Sequence, residues 1–186
     1  VVGLVAGFLN VVAGGGSLIA MPALIFLGLP PTVANGTVRL AILAQNPAAV
    51  LGFRRHGVSG GGLLVLAVPP ALVGAGLGTW VALVVGDEAF QQILSAVMIL
   101  IAVWMVWRPL PRSAPEAAGA SDEPGGSTLR RIGLIGGFFV VGFYGGFVQA
   151  GVGFLILATT SAAGLDLVRG NALKALLVLS FTPLAL

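Results

Sequence analysis

Apolar residues run through this chain in long blocks, separated by short polar or glycine-rich interruptions. The stretches Leu63 to Gly86 and Ala89 to Trp107 carry no charged residue, and each reaches the roughly 20 residues a helix needs to cross a hydrocarbon core about 30 Å thick. They predict membrane-spanning helices. Ten-residue segments of alternating polarity, the mark of a membrane barrel, do not occur, so the expected fold is all-α.

Five apolar segments and the start of a sixth follow from the pattern. The first, Val1 to Leu29, is split by Gly14-Gly15-Gly16-Ser17 and closed by Pro30-Pro31, since proline lacks the donor that would continue a helix. About twelve residues before the split rise only about 18 Å, too little to cross alone. The two halves therefore either form one broken crossing or fold back as a re-entrant pair. The second segment runs from about Val33 to Phe53, the third from Leu63 to Val85 and the fourth from Ala89 to Trp107, where Trp104 and Trp107 suit an interfacial aromatic belt. The fifth, Ile132 to about Leu157, carries a second interruption at Val148-Gln149-Ala150-Gly151-Val152-Gly153, and the sixth begins near Asn171.

Between the fourth and fifth segments the composition changes. Residues 108–131 are rich in Pro, Ser, Gly, Glu and Asp, which bury too little apolar surface to offset the entropy of ordering. This part is expected to be a flexible linker between an N-terminal repeat, residues 1–107, and a partial C-terminal repeat, residues 132–186. Arg54 and Arg55 follow the second segment, and Arg108, Arg112, Arg130 and Arg131 surround the linker, whereas the turn after the third segment offers only Asp87 and Glu88. By the positive-inside rule the linker is cytoplasmic.

Composition agrees with this picture. Hydrophobic residues make up 58% and charged residues 8%, with a mean hydropathy of +1.08, far from the roughly one-quarter charged content of soluble domains. The net charge of +3 sits at segment ends, where it orients helices; it forms no phosphate-tracking patch, and no nucleic-acid partner is expected. The absence of cysteine excludes disulfides and thiolate chemistry. No cofactor or metal is called for. A chain that starts at Val1 and stops at Leu186 within an apolar stretch reads as a fragment, with the second repeat truncated.

The two halves align. Ala13-Gly14-Gly15-Gly16 matches Ala150-Gly151-Val152-Gly153, and Gly28-Leu29 with Ala34-Asn35-Gly36 matches Gly164-Leu165 with Gly170-Asn171-Ala172, after one residue of gap. Irregular backbone at membrane depth is tolerated where it is buried in protein or lines a cavity, and transporters built from repeats hold substrate where broken helices meet. An even number of crossings per repeat gives parallel halves; a re-entrant first segment gives inverted ones.

The run Gly14-Gly15-Gly16-Ser17 with Pro22, then Gly28-Leu29-Pro30-Pro31, Ala34-Asn35-Gly36-Thr37 and Arg54-Arg55-His56-Gly57, resembles the TauE/SafE family of sulfite exporter type anion permeases. Gly142-Phe143-Tyr144-Gly145-Gly146-Phe147, Gly151-Val152-Gly153 and Asn171-Ala172-Leu173-Lys174 resemble its C-terminal repeat. The resemblance implies a secondary transporter in a prokaryotic plasma or inner membrane, with two four-segment repeats. Its cargo would be sulfite, sulfoacetate or other small sulfur or organic anions, coupled to an ion gradient of protons or sodium.

The residues point to the same chemistry. Glycines at the interruptions let backbone amides face a ligand, and the helix start that follows carries a partial positive charge suited to a small anion. The candidate substrate-binding residues are Gly14, Gly15, Gly16, Ser17, Asn35, Thr37, Arg39, Gln149, Gly151, Gly153, Asn171 and Lys174. Arg39 and Lys174 are intramembrane cations whose partner is either the anion or, by snorkelling, the headgroups. Asn35 and Asn171 either cap their own helices or donate to substrate. Gln45 and Asn46 precede Pro47 and are expected to satisfy the backbone it frees. The pairs Gly3/Gly7, Gly74/Gly78 and Gly142/Gly146 are expected to permit close helix packing. Two other readings compete. A passive channel or structural membrane subunit would lack two unequal interruptions in one chain. An intramembrane serine hydrolase using Ser17 needs a general base, and the single histidine, His56, follows a cytoplasmic arginine pair. Membrane lipid is the expected surroundings; oligomeric state is not encoded in these patterns.

Overall fold

The computed structural model describes residues 2–58, 61–107 and 128–186, and the regular structure among them is entirely helical. Its helices are α1 (Val2–Val12), α2 (Ser17–Phe26), α3 (Pro31–Arg55), α4 (Leu63–Val84), α5 (Asp87–Trp107), α6 (Thr128–Phe147), α7 (Val152–Ala162) and α8 (Leu167–Phe181), followed by a 3-10 turn at Thr182–Ala185. Arg108, Arg112 and the rest of 108–127 lie outside the described residues, as does the Trp104 side chain. The last four residues assigned to the linker, 128–131, form the first turn of α6, so helix begins earlier than composition indicated. Leu129 and Ile132, flanking the adjacent pair Arg130 and Arg131, carry the apolar pattern of α6 back into this turn.

Local chemistry explains the ends. Pro31 opens α3 at the position where a missing N–H is harmless. Asp166 caps α8 by accepting from Val168 N and Arg169 N, both at 2.8 Å, and its other oxygen lies 3.6 Å from the Arg169 guanidinium. Helix α8 therefore starts at Leu167, before Asn171. Helices α2 and α7 end alike: Gly28 (φ +94°) and Gly164 (φ +87°) take the left-handed conformation, and Leu29 N and Leu165 N reach back to Leu24 O and Thr160 O at 3.1 and 3.0 Å, the Schellman arrangement.

Helices α4 and α6 run parallel in close contact. A Cβ on Gly74 or Gly78 would collide with the backbone of α6 near Phe139 and Phe143, and one on Gly142 or Gly146 would collide with Ala71 or Ala75. These four glycines serve packing as expected. Gly3 does not: nothing lies within 4 Å of its Cβ position, and Gly7 meets only the Gln45 side chain at 3.8 Å. Because Gly146 sits on Ala75, the C-terminal end of α6 lies at the middle of the 22-residue α4.

The glycine-rich interruptions are turns of helical hairpins. A Cβ on Gly137 would lie 3.2 Å from Thr159 Cγ2, one on Gly145 would lie 3.0 Å from Val152 Cγ2, and Arg130 Nη2 donates to Ala163 O at 2.9 Å, so α7 returns along α6. In the first half a Cβ on Gly16 would meet Ala6 O and Asn10 Cβ. Residues 6 and 16 of one continuous helix would stand about 15 Å apart. Of the two arrangements open for the first segment, the folded-back one is found.

Apolar side chains cover the outside: Leu4, Leu83 and Phe26 are 81%, 81% and 92% exposed. Continuous apolar surface of this kind requires a non-aqueous neighbour. Among the described residues, Leu63–Val84 and Leu167–Ala185 are long and apolar enough to cross a membrane. Helix α3 is less apolar because it presents Asn35, Arg39 and Asn46 inward, all buried.

Candidate functional site

The two hairpin turns meet. A Cβ on Gly14 would sit 2.7 Å from the Gly153 carbonyl carbon, and one on Gly153 would strike the Gly14 backbone, so only glycine at both positions permits the contact. Gly14 (φ +77°) and Gly151 (φ +74°) are both left-handed, which reverses the chain at each turn without a side-chain clash. Gly15 faces the Phe154 ring, and the Ser17 hydroxyl accepts from Gly151 N at 2.9 Å. Residues 14–17 and 145–154 are buried throughout.

Around this contact lie the buried polar side chains. On α3, Asn35, Arg39, Ile42 and Asn46 share one face, at spacings of four, three and four residues. Asn35 Nδ2 donates to Phe147 O at 3.4 Å and its Oδ1 accepts from Gln149 N at 3.1 Å. Arg39 donates through Nη1 to Ala185 O and through Nη2 to Gly146 O and Phe147 O, the last at 3.2 Å. On α8, Asn171 Nδ2 donates to Val12 O at 3.2 Å and to Leu167 O at 2.9 Å. Lys174 Nζ donates to Asn10 O and Val11 O, each at 2.9 Å, and to Asn171 Oδ1 at 2.6 Å.

Neither asparagine caps its own helix, because each stands at the fifth position from that helix's start. Both bind the last carbonyl of a helix in the other half of the chain: Asn35 that of α6, Asn171 that of α1. The two cations are buried, not snorkelling, and engage carbonyls of the same helix ends. A helix C-terminus leaves up to four carbonyls unpaired and carries a partial negative charge. The last four of α1 are all met: Leu9 O by Ala13 N at 2.8 Å, Asn10 O by Gly14 N at 3.1 Å and by Lys174, Val11 O by Lys174, and Val12 O by Asn171.

A small cavity opens between the hairpin tips. Asn10, Ile42, Asn46, Gln149, Gly153 and Lys174 line it, with Val152 and Val178, and the volume open to a water-sized solute is ≈ 10 Å³. Gln149 is fully buried, and neither its Nε2 nor its Oε1 has a partner; Arg39 Nε is likewise unpaired. A buried amide without partners costs about 1–3 kcal/mol, so its retention calls for a polar guest. A larger recess of ≈ 340 Å³ is lined by Val50, Phe53, Arg54, Val58, Leu64 and Leu176 among others. Its mostly apolar wall lies toward the C-terminal end of α3, beyond Asn46.

Among the expected residues, Gly14, Gly15, Gly16, Ser17, Asn35, Gln149, Gly151, Gly153 and Lys174 come together at or beside the tips. Arg39 and Asn171 stand at the helix ends that lead into them. Thr37 does not belong: it is exposed and bonds back to Val33 O at 2.8 Å within its own helix. Two positions from Asn35, it is turned about 200° away around α3. Asn10 and Asn46 were not among the expected residues. Asn46 could have been found from helical phase, since it shares the stripe of Asn35 and Arg39; it bonds Ile42 O at 3.0 Å. Tyr144 was also missed: its hydroxyl donates to Ala150 O and pins the second turn. His56 is exposed beyond the end of α3, with Nδ1 2.9 Å from Gly52 O, so Ser17 does not have it as a base.

Comparisons with known proteins identify the family. A family model described as "Sulfite exporter TauE/SafE" matches residues 1–186. The chain is 31% identical over 176 residues to "Probable membrane transporter protein ORF9" of Sinorhizobium sp, covering 92% of this chain and 63% of the relative. It is 30% identical over 173 residues to a "Probable membrane transporter protein" of Haemophilus influenzae, covering 92% and 64%. Against "Probable membrane transporter protein YfcA" of Escherichia coli K12 it is 29% identical over 172 residues, covering 92% and 61%. The chain thus spans just under two thirds of the length of these relatives. No solved structure matches it. With its whole length matched by the family model, the chain belongs to the TauE/SafE family, a family of membrane transporters and not an enzyme class.

Proposed function

We propose that this protein works as a secondary transporter of small anions, such as sulfite, sulfonates or related organic acids, with its binding site in the cavity between the two hairpin tips. The observation that carries the reading is Gln149: a fully buried amide with free donors and acceptor, aimed into a cavity that Lys174 borders. The nearby positive charge and the start of α7 favour an anion, and Gln149, Asn10 and Asn46 supply neutral hydrogen-bonding groups. At ≈ 10 Å³ the cavity holds about one water, so the geometry is that of an occluded state, and binding an oxyanion requires the tips to part.

The proposed architecture is a pair of inverted repeats, 1–107 and 128–186, joined on the cytoplasmic side in a prokaryotic plasma membrane. Several features support it. The left-handed glycines Gly14 and Gly28 correspond to Gly151 and Gly164 with the single-residue gap of the alignment. The Asn and cation pairs on α3 and α8 occupy matching places. Helix α3 runs antiparallel to α8, since Arg39 near its start reaches Ala185 while Val50 and Phe53 near its end share a recess with Ala172 and Leu176. Each hairpin is then re-entrant from an opposite face, and the tips meet near mid-membrane. Coupling to a proton or sodium gradient accompanies this reading; no cofactor is assigned.

The test uses the full-length protein in proteoliposomes, with labelled sulfite and a sulfonate as probes, with and without a proton or sodium gradient. Saturable uptake against a gradient is expected. Gln149→Leu should raise KM at least tenfold, the equivalent of about 1.4 kcal/mol, while raising the melting temperature, because an unpartnered buried amide is removed. Equilibration without coupling would favour a passive channel; no movement of any small anion would remove the reading.

A further inference from the structure

The cations invite assignment as anion ligands, yet their hydrogen bonds point elsewhere. An ammonium has three donors. All three of Lys174's are engaged, by Asn10 O, Val11 O and Asn171 Oδ1, which leaves none for a solute in this state. Arg39 spends both terminal nitrogens on Gly146 O, Phe147 O and Ala185 O. Apart from Asn171 Oδ1 on α8 and Ala185 O in the 3-10 turn, the acceptors are the ends of α1 and α6, the arms that lead into the two turns. The pairing is exchanged: α8 of the second half holds the first hairpin, and α3 of the first half holds the second.

We propose that Lys174 and Arg39 are positioning residues that clamp opposite hairpins, Lys174 with Asn171 holding α1–α2 and Arg39 with Asn35 holding α6–α7, and that each clamp keeps its hairpin tip against the other. This rests on the transport reading above, in which the cavity between the tips is the binding site. Helix α1 depends on its clamp most. Val2, Leu4, Val5, Phe8 and Val12 are exposed and only Ala6 is buried, so side-chain packing contributes little to holding it. Without the ammonium, Asn10 O keeps only its bond from Gly14 N, and Val11 O loses the one donor named for it at the tip, a state tolerated only where water reaches it. Loss of the Lys174 clamp therefore moves the α1–α2 tip outward and opens the cavity on that hairpin's side of the membrane.

The experiment places spin labels at exposed Leu4 and Leu184 in full-length protein reconstituted without solute, and compares Lys174→Met, Lys174→Arg and Asn171→Ala with the unmutated protein. In Lys174→Met the distance distribution should lengthen and broaden by several ångströms. Lys174→Arg should restore it, because a guanidinium also reaches paired carbonyls, and Asn171→Ala should give a smaller shift in the same direction, serving also if Lys174→Met does not accumulate. In transport of sulfite, Lys174→Met should lower the maximal rate at least tenfold with KM within twofold. An unchanged distance distribution, or a tenfold rise in KM with the distribution unchanged, overturns the proposal and makes Lys174 a substrate ligand. The distances are read with no solute present, so they judge the clamp even if sulfite transport itself is absent.

Discussion

The two hairpins perform the same turn by different means. α6–α7 is anchored by backbone contact: Gly142 and Gly146 lie directly on Ala71 and Ala75 of α4, and residues 145–154 are buried without exception. Helix α1 has no such bed, with only Ala6 buried. It is fastened by side chains from elsewhere, Gln45 to Gly7 O at 3.1 Å and Lys174 and Asn171 to its last carbonyls, while the hairpin's own Ser17 hydroxyl accepts from Gly151 N of the opposite turn. Close backbone packing distributes attraction over many atoms and gives up little when one is altered. A few directed hydrogen bonds concentrate it, and can be released one at a time. The difference makes α6–α7 the fixed wall of the cavity and α1–α2 the part suited to move.

The contrast can be broken most forcefully at the α4–α6 contact. Gly146→Leu should cost about 3 kcal/mol or more, because the new side chain meets Ala75 backbone that cannot withdraw. The full-length protein should lose its monodisperse peak on size exclusion in detergent, whereas Gly7→Ala, facing only a flexible glutamine, should keep it. If both behave alike, the hairpins are not held differently. Arg39→Gln comes next. It leaves carbonyls of α6 without their donors and should destabilise by about 2–3 kcal/mol, seen as a lower melting temperature in detergent.

A smaller effect is expected from Ser17→Ala, which removes the acceptor for Gly151 N and should cost about 1 kcal/mol, with sulfite transport persisting at a reduced rate. Complete loss of function with unaltered stability would instead reopen a nucleophilic role. Smallest of all, Thr37→Val should change melting by less than about 0.5 kcal/mol and leave transport unaltered, since the hydroxyl is exposed and bonded within its own helix.

Much of this was legible in the residues. Hydropathy located α3, α4 and α5 to within a few positions, because each is long and bounded by proline, glycine or charge. Glycine runs marked both turns, and Asn35, Arg39, Asn171 and Lys174 stood out as polar residues within apolar segments. Local pattern could not say whether Gly14 to Gly16 bends a crossing or reverses it; that depends on which surface receives Gly14, and the answer, Gly153, lies in the other half. The partners of Arg39 were hidden for the same reason, standing 107, 108 and 146 residues away. Thr37 is the exception: helical phase alone separates it from Asn35 and Arg39, and places Asn46 with them.

Exchange of the caps also governs how the chain can be built. The carbonyl of Asn10 leaves the ribosome 164 residues before the ammonium of Lys174 that receives it, and Val12 waits 159 residues for Asn171. On the proposed re-entrant placement, until α8 is inserted the end of α1 lacks the donors that meet its last carbonyls at mid-bilayer. The first hairpin is therefore expected to linger near the interface, hydrated, during synthesis of the remainder. Insertion of the second half would then draw the first into place, making the N-terminal hairpin one of the last elements to reach its final depth.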